Sequence, residues 1–283
     1  MRKYITYIFL FIPFAGFSQD PFIDFSSIAE PCKPLAYLLE LFCLQGTPQN
    51  QNPNDSVLIL INHGYVLGFS RAHNQPAWAA YQVSKATKNV NYARPPFFVD
   101  DTRLPVENRI GSETFGGGYD LGHMVPNAAI NEQYGKLSQM ETFLMSNVSP
   151  QKAELNRGVW VKLEEEIRGD YFGDADHVWI ITGPIFPDSL IYLERKNNTR
   201  IPIPESFFCI LVRPNRYPFD SPGNAQYLAF IFPQEIARKQ QLEPEFLVTI
   251  NEIEAKTKLN FFPNFTKHYE NRLENLKAEK LWR

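Results

Sequence analysis

The chain has 283 residues, enough for one large domain or two small ones with a substantial buried core. Its composition, with 44% hydrophobic and 21% charged residues, is that of an ordinary globular protein and excludes an intrinsically disordered chain. The formal net charge of −3 lacks the basic excess of most nucleic-acid-binding proteins, but a basic cleft on an acidic body would still allow catalysis on a polyanion.

The first 18 residues have the pattern of a secretory signal peptide. Arg2 and Lys3 precede an apolar run over residues 4–17, and polar residues follow from Ser18. The run is too short to span a bilayer, and no stop-transfer segment follows it. We therefore predict cleavage near residues 18–19 and a secreted or periplasmic protein without a membrane anchor. Cleavage removes two positive charges and leaves a formal charge of −5. A buried N-terminal helix or strand is the alternative interpretation.

The rest of the chain divides into an N-terminal extension, residues 19–55, and a larger domain, residues 56–283. The extension has a helical pattern at 35–42 and ends in a polar linker at 46–55. In the domain, strand and helix patterns alternate irregularly, which indicates an α+β fold with a central, mostly antiparallel sheet flanked by helices. A long loop-like stretch covers residues 88–118, and such loops are often functional. The predicted strands are 57–61, 64–69, 78–83, 177–185, 207–212 and 227–232, and the predicted helices are 131–145, 156–172, 244–256 and 271–281.

The three cysteines fit structural roles. In an oxidising compartment Cys32 and Cys43 could close a short loop, which would leave Cys209 as a free thiol. Cys209 lies in the apolar run 207–212, as expected for a core residue. Their scattered positions do not match the spacing of a metal site.

Three polar segments carry the candidate chemistry. Residues 118–128 read Gly-Tyr-Asp-Leu-Gly-His-Met-Val-Pro-Asn-Ala, which presents His123 after a glycine-rich loop. A lone histidine is more often structural than functional. Further along, Asn156 could be a helix N-cap, and Glu164 with Arg168 could be an ordinary surface ion pair. On one continuous helix the eight-residue spacing of Asn156 and Glu164 would place them about 80° apart around the axis.

Taken together, these segments resemble the DNA/RNA non-specific endonuclease family, which comprises ββα-metal nucleases such as endonuclease G and the Serratia-type secreted nuclease. Family members share an Asp-Arg-Gly-His block, a Ser-Asn-apolar-x-Pro-Gln block and an Asn-x-Gly-x-Trp-x-x-Leu-Glu block. The corresponding blocks here are Asp-Leu-Gly-His at 120–123, Ser-Asn-Val-Ser-Pro-Gln at 146–151 and Asn-Arg-Gly-Val-Trp-Val-Lys-Leu-Glu at 156–164. The resemblance covers roughly residues 57–265 and implies a ββα-metal catalytic motif.

The resemblance implies a metal-dependent endonuclease that hydrolyses phosphodiester bonds of DNA and RNA without sequence preference. His123 would be the general base, and Asn156 would hold one Mg²⁺, or Mn²⁺ or another divalent cation. Glu164 would orient water around the metal, while Arg168 and Arg94 would contact the scissile phosphate. The remaining expected site residues are Asn147, which shapes the site, and Asp120, which positions the loop. DNA and RNA would bind through their phosphate backbones.

One position departs from the family pattern: the signature arginine is replaced by Leu121. Leucine cannot supply charge-assisted hydrogen bonds to phosphate, and losing such a group costs on the order of several kcal/mol in the transition state. Arg157, Arg103 or Arg109 could supply the missing charge. The replacement motivates one alternative, a catalytically weakened nucleic-acid-binding protein on the same fold. A second alternative is a phosphodiesterase that acts on small nucleotides, since it would use the same catalytic residues.

Overall fold

The computed structural model describes residues 33–85, 91–194, 200–214 and 224–282. The predicted signal peptide and Cys32 lie outside these residues. The strands are β1 (Gln49–Asn50), β2 (Val57–Ile61), β3 (Val66–Ser70), β4 (Gln75–Ser84), β5 (Tyr119–His123), β6 (Val148–Lys152), β7 (His177–Ile185), β8 (Tyr192–Glu194), β9 (Arg200–Pro202), β10 (Ser206–Arg213), β11 (Gln226–Pro233) and β12 (Leu259–Asn260). The helices are α1 (Lys33–Phe42), α2 (Asn127–Tyr134), α3 (Lys136–Glu141), α4 (Ala153–Asn156), α5 (Val159–Arg168), α6 (Ile250–Thr257) and α7 (Lys267–Glu274).

Six strands form a central sheet in the order β11-β10-β7-β4-β3-β2, and every neighbouring pair is antiparallel. All six are built around strands predicted from the sequence. Successive side chains of β7 pack on opposite sides, Val178 and Ile180 in one core and Trp179 and Ile181 in the other. The sheet is therefore buried on both faces, and the predicted α+β class with a mostly antiparallel sheet is confirmed.

Different helices cover the two faces of the sheet. One face packs against α2, α4 and α5, whose contributions include Ile130, Leu155 and Leu163. The other packs against α1, α6 and α7, through residues such as Phe42 and Ile253. The helices contribute apolar side chains to these two cores, and the burial of this apolar surface drives the assembly.

A second, two-stranded unit carries the polar motifs. β5 and β6 form an antiparallel pair outside the central sheet, and β6 runs directly into α4 and then α5. The strand patterns of the sequence do not include this pair, because Tyr-Asp-Leu-Gly-His has no clear apolar alternation. Pro150 also argues against a central strand, but it is tolerated here opposite Leu121 in a sheet of two strands.

Glycines divide the two helices predicted at 131–145 and 156–172. Gly135 has a φ of 84° and separates α2 from α3. Gly158 separates α4 from α5, and a Cβ at Gly158 would lie 2.2 Å from the backbone oxygen of Glu154. The prediction that Asn156 shares one continuous helix with Glu164 is therefore wrong, and the angle inferred from it does not apply. Asn156 is the last residue of α4 rather than an N-cap.

Several further features complete the fold. α6 begins at Ile250, later than predicted, because Thr249 and Glu252 form a reciprocal capping box there. The segment predicted as a linker contains β1, which pairs with β12 near the C-terminus. Cys43 and Cys209 are buried thiols. In the described part of the chain, no helix has the length and apolar character to cross a membrane.

Candidate active site

His123 occupies the last position of β5, where the chain leaves the two-stranded unit. Its backbone pairs with Val148 of β6. The next residue, Met124, donates its N–H to the carbonyl of Asn147 at 2.9 Å and accepts a hydrogen bond from Thr182 Oγ1 at 3.0 Å. These bonds fix the backbone around His123 against both β6 and the central sheet.

Aromatic side chains enclose the imidazole of His123. The ring centroids of Phe98 and Phe143 lie 5.0 and 5.1 Å from that of His123. The Nε2 atom is buried and has no hydrogen-bond partner among the described residues. Burial, with a further contribution from the positive charge of Arg94, lowers the pKa of His123 to about 3. The ring is therefore neutral near pH 7 and can accept a proton.

The loop segment from residue 91 onward brings Arg94 to this pocket. The guanidinium carbon of Arg94 lies 4.9 Å from the centroid of the Phe143 ring, and the residue is exposed to solvent. Val99 holds the loop in place, since its N–H donates to Phe143 O at 3.0 Å and its carbonyl accepts from Met145 N–H at 2.9 Å. Arg94 thus carries an exposed charge on a loop that is anchored at Val99.

Glu164 and Arg168 of α5 lie one helical turn apart on the same side of the pocket. Burial raises the pKa of Glu164 to about 7, although Arg168 and Arg94 act in the opposite direction. Arg168 donates from Nη1 to Glu132 of α2 at 3.1 Å, and its Nε is buried without a hydrogen-bond partner in the described ranges. The two residues are therefore half-buried groups of an electrostatically coupled site rather than a solvated surface pair.

A second polar group surrounds Asp120. The Nδ2 atom of Asn156 donates to Asp120 Oδ2 at 3.0 Å, and Arg157 donates to the same carboxylate from Nε and Nη2 at 2.8 and 2.6 Å. Burial opposes ionisation, but these hydrogen bonds outweigh it and lower the pKa of Asp120. A carboxylate only accepts hydrogen bonds, so the amide of Asn156 is held by its nitrogen. Its oxygen Oδ1 is the end that remains for a ligand.

Asn147 is fully buried and acts within the protein. Its side chain accepts from the N–H of Val125 at 2.9 Å and donates to the carbonyls of Val125 and Thr142, both at 3.0 Å. Both N–H groups and the oxygen of its amide are thereby bonded to backbone groups of Val125 and Thr142. This geometry fits a residue that shapes the site and does not touch substrate.

The predicted site residues form two groups along β5. Residues around His123 and residues around Asp120 are separated by three positions, about 10 Å of extended strand. No cluster of three or more His, Cys, Asp or Glu side chains that could hold a metal ion occurs in the described residues. A hard cation with one protein oxygen ligand and several waters is compatible with Asn156 Oδ1. The first group comprises Arg94, His123, Glu164 and Arg168, and the second comprises Asp120 and Asn156.

The structure adds residues that the sequence patterns do not single out. Phe98 and Phe143 wall the imidazole, and Glu132 holds Arg168. Phe98 has a sequence signal, since it ends the run Arg-Pro-Pro-Phe-Phe at residues 94–98. Neither Phe143 nor Glu132 stands out, because nothing in the sequence shows that the segment after α3 meets β5 or that α2 meets α5.

Comparisons with known proteins agree with this arrangement. A sequence profile for "DNA/RNA non-specific endonuclease" matches residues 45–268. A nuclease of Serratia marcescens is 28% identical over 224 residues, covering 77% of this chain and 78% of the relative. A nuclease of a Nostoc species is 25% identical over 258 residues, covering 87% and 89%. Mitochondrial endonuclease G of Bos taurus is 24% identical over 255 residues, covering 83% and 81%.

Proposed function

The chain belongs to the DNA/RNA non-specific endonuclease family and is a hydrolase of the nuclease class. From this premise we propose that it cleaves both DNA and RNA, with a divalent cation and with His123 as general base. The observation that carries the proposal is the state of His123. Its ring is neutral, its Nε2 is buried without a partner among the described residues, and two arginines lie around the same pocket. A neutral imidazole beside fixed positive charge is suited to deprotonate a water that attacks a phosphate.

The residues divide the chemistry between them. His123 would accept the proton of the attacking water, while Arg94 and Arg168 would bind the non-bridging oxygens of the scissile phosphate through charge-assisted hydrogen bonds. The aromatic wall of Phe98 and Phe143 would exclude bulk water from the base and hold the ring in one orientation. Removing a general base typically costs 10²- to 10⁴-fold in rate, so His123 dominates the expected effect of single substitutions.

Asn156 would hold the cation through Oδ1, with Mg²⁺ as the expected ion. Such an ion supplies positive charge for the departing 3′ oxygen. Asp120 keeps the amide of Asn156 in the orientation that this contact needs, and Glu164 would accept hydrogen bonds from water around the cation. In this proposal β5, β6 and the helices α4 and α5 constitute the ββα-metal unit.

The proposal includes the export suggested by residues 1–18. Its support is the sequence pattern, since these residues lie outside the described part of the chain. Sequencing the N-terminus of protein recovered outside the producing cell tests it. A start at residue 19 or 20 supports export with cleavage, and an intact Met1 on exported protein contradicts it.

The nuclease proposal is tested by incubating the protein with supercoiled plasmid and with structured RNA. We expect cleavage of both in Mg²⁺, none in EDTA, and loss of cleavage in His123→Ala. The matched control is His63→Ala, which removes an exposed surface histidine. If folded protein cleaves neither polymer in Mg²⁺, Mn²⁺ or Ca²⁺, the proposal fails. Binding without cleavage would then favour the weakened binding protein, and hydrolysis of a bis-nitrophenyl phosphate alone would favour a small-substrate phosphodiesterase.

A further inference from the structure

Two of the arginines that could replace the charge missing at Leu121 are already engaged. Arg103 donates to Asp101, to the carbonyl of Ile61 and to Asn62, each within 2.9 Å. Arg109 donates to the carbonyls of two neighbouring loop residues, both at 2.8 Å. Arg103 therefore fastens the long loop to the body of the protein, whereas Arg109 bonds within the loop itself. The hydrogen bonds of both side chains lie away from Asp120 and Asn156.

Arg157 differs from both in exposure and in surroundings. Its side chain is 73% exposed, although Nε and Nη2 are bonded to Asp120. The third guanidinium nitrogen, Nη1, has no acceptor among the described residues. The guanidinium is thus held by one edge while another edge faces solvent, which is an arrangement that can receive an anion without further ordering of the side chain.

Asp120 aligns Arg157 with the expected metal ligand. Asn156 Nδ2 and Arg157 Nε donate to the same oxygen, Asp120 Oδ2, at 3.0 and 2.8 Å. The two nitrogen atoms therefore lie within about 6 Å of each other, whatever the angle between the bonds. A phosphate that approaches Asn156 comes within reach of a fixed positive charge at the same time.

We propose that Arg157 is a phosphate-binding residue of this nuclease site, positioned by Asp120, and that it supplies the charge that Leu121 does not. This inference rests on the proposed function, because it assumes a polynucleotide substrate at Asn156. Asp120 is in this account a positioning residue, since it acts through Asn156 and Arg157 and does not touch the phosphate. The ligand is a phosphodiester oxygen of DNA or RNA, recognised by charge and not by base sequence.

The first test measures binding without catalysis. In the His123→Ala background and in EDTA, anisotropy of a labelled 30-base-pair DNA is followed against NaCl concentration. Arg157→Ala should weaken binding about tenfold and make the slope of log K against log[NaCl] shallower by about 0.9, the value for one phosphate contact. Lys162→Ala, which removes one exposed charge from α5, should leave the slope unchanged. EDTA removes any contribution of a cation at Asn156, so a purely structural effect on that ligand would not change the slope.

The second test measures catalysis and asks whether a positive charge introduced at position 121 can replace that of Arg157. With His123 intact, Arg157→Ala and Arg157→Gln should lower kcat/KM for plasmid about tenfold or more in Mg²⁺, and adding Leu121→Arg should recover part of the loss. Melting curves of each variant establish that it is folded. If the Arg157 variants bind and cleave like Lys162→Ala, the phosphate-binding role of Arg157 is overturned, and the proposed nuclease activity is unaffected. If the wild type cleaves nothing, the proposed function fails, and the salt slope alone then decides whether Arg157 contacts phosphate.

Discussion

Replacing Glu164 by Gln should stabilise the protein in alkaline solution while it damages the site. Burial raises the pKa of Glu164 to about 7 in the folded protein, whereas an exposed glutamate titrates near 4.5. A carboxyl group whose pKa is raised on folding is best tolerated when protonated. The buried carboxyl group therefore does not destabilise the folded protein below about pH 4.5, and the destabilisation increases as pH rises through 7. Glutamine keeps the shape of the neutral acid and does not titrate.

The magnitude follows from the difference between the two pKa values. At 1.36 kcal/mol per unit, the ionised carboxylate costs about 1 kcal/mol at pH 5 and about 3 kcal/mol at pH 8. The free energy of unfolding of Glu164→Gln should exceed that of the wild type by these amounts. For a chain of this size, 3 kcal/mol corresponds to a rise in melting temperature of about 6–12 °C.

The assay is urea denaturation in EDTA at several values of pH between 5 and 8, with wild type, Glu164→Gln and Glu165→Gln. Glu165 is the matched control, because it is the next residue of the same helix and is exposed to water. Its substitution should change stability by less than about 1 kcal/mol at every pH. A Glu164→Gln advantage that is independent of pH, or that shrinks as pH rises, would refute the assigned burial of this carboxylate.

Four further results are expected from the same site. The kcat/KM of the wild type in Mg²⁺ should rise with pH as Glu164 ionises, with a midpoint no higher than about 7 because a bound cation favours the carboxylate. Glu164→Gln should flatten that limb, whereas an unchanged limb would assign it to another group. Asn147→Ala should lower the free energy of unfolding, measured by urea denaturation, by about 3 kcal/mol. The substitution leaves one buried N–H and two buried carbonyls without their hydrogen-bond partner. Gly158→Ala should reduce both melting temperature and cleavage, since its Cβ would meet a backbone oxygen, and a variant with wild-type values would contradict the tight α4–α5 junction. Plasmid cleavage should fall steeply between 50 and 200 mM NaCl, and a rate independent of salt would argue against backbone recognition.

The strands of the central sheet could be predicted because their sequences have simple apolar patterns. β7 and β10 are runs of β-branched and aromatic residues, and both faces of each are buried. The two-stranded unit could not be predicted from its sequence pattern, since β5 contains Asp120 and Gly122 and β6 contains Pro150. Its pairing depends on contacts with β4 and α4 that no local pattern describes.

The candidate site shows the same division between local and long-range information. The family resemblance points to His123, Asn156 and Glu164, which lie in contiguous motifs. The partnership of Arg157 with Asp120 joins residues 37 positions apart, and so it appears only in the folded protein. The raised pKa of Glu164 likewise results from burial beneath other elements rather than from its neighbours on the helix.

The most direct test of the account is chemical rescue of His123→Ala. Plasmid cleavage in Mg²⁺ is measured with increasing imidazole, beside Asn156→Ala under the same conditions. If His123 is the general base, its removal should cost 10²-fold or more, and added imidazole should restore cleavage to His123→Ala in proportion to its concentration, but not to Asn156→Ala. Cleavage by His123→Ala at the wild-type rate, or equal rescue of both variants, would contradict the assignment of His123 as the base.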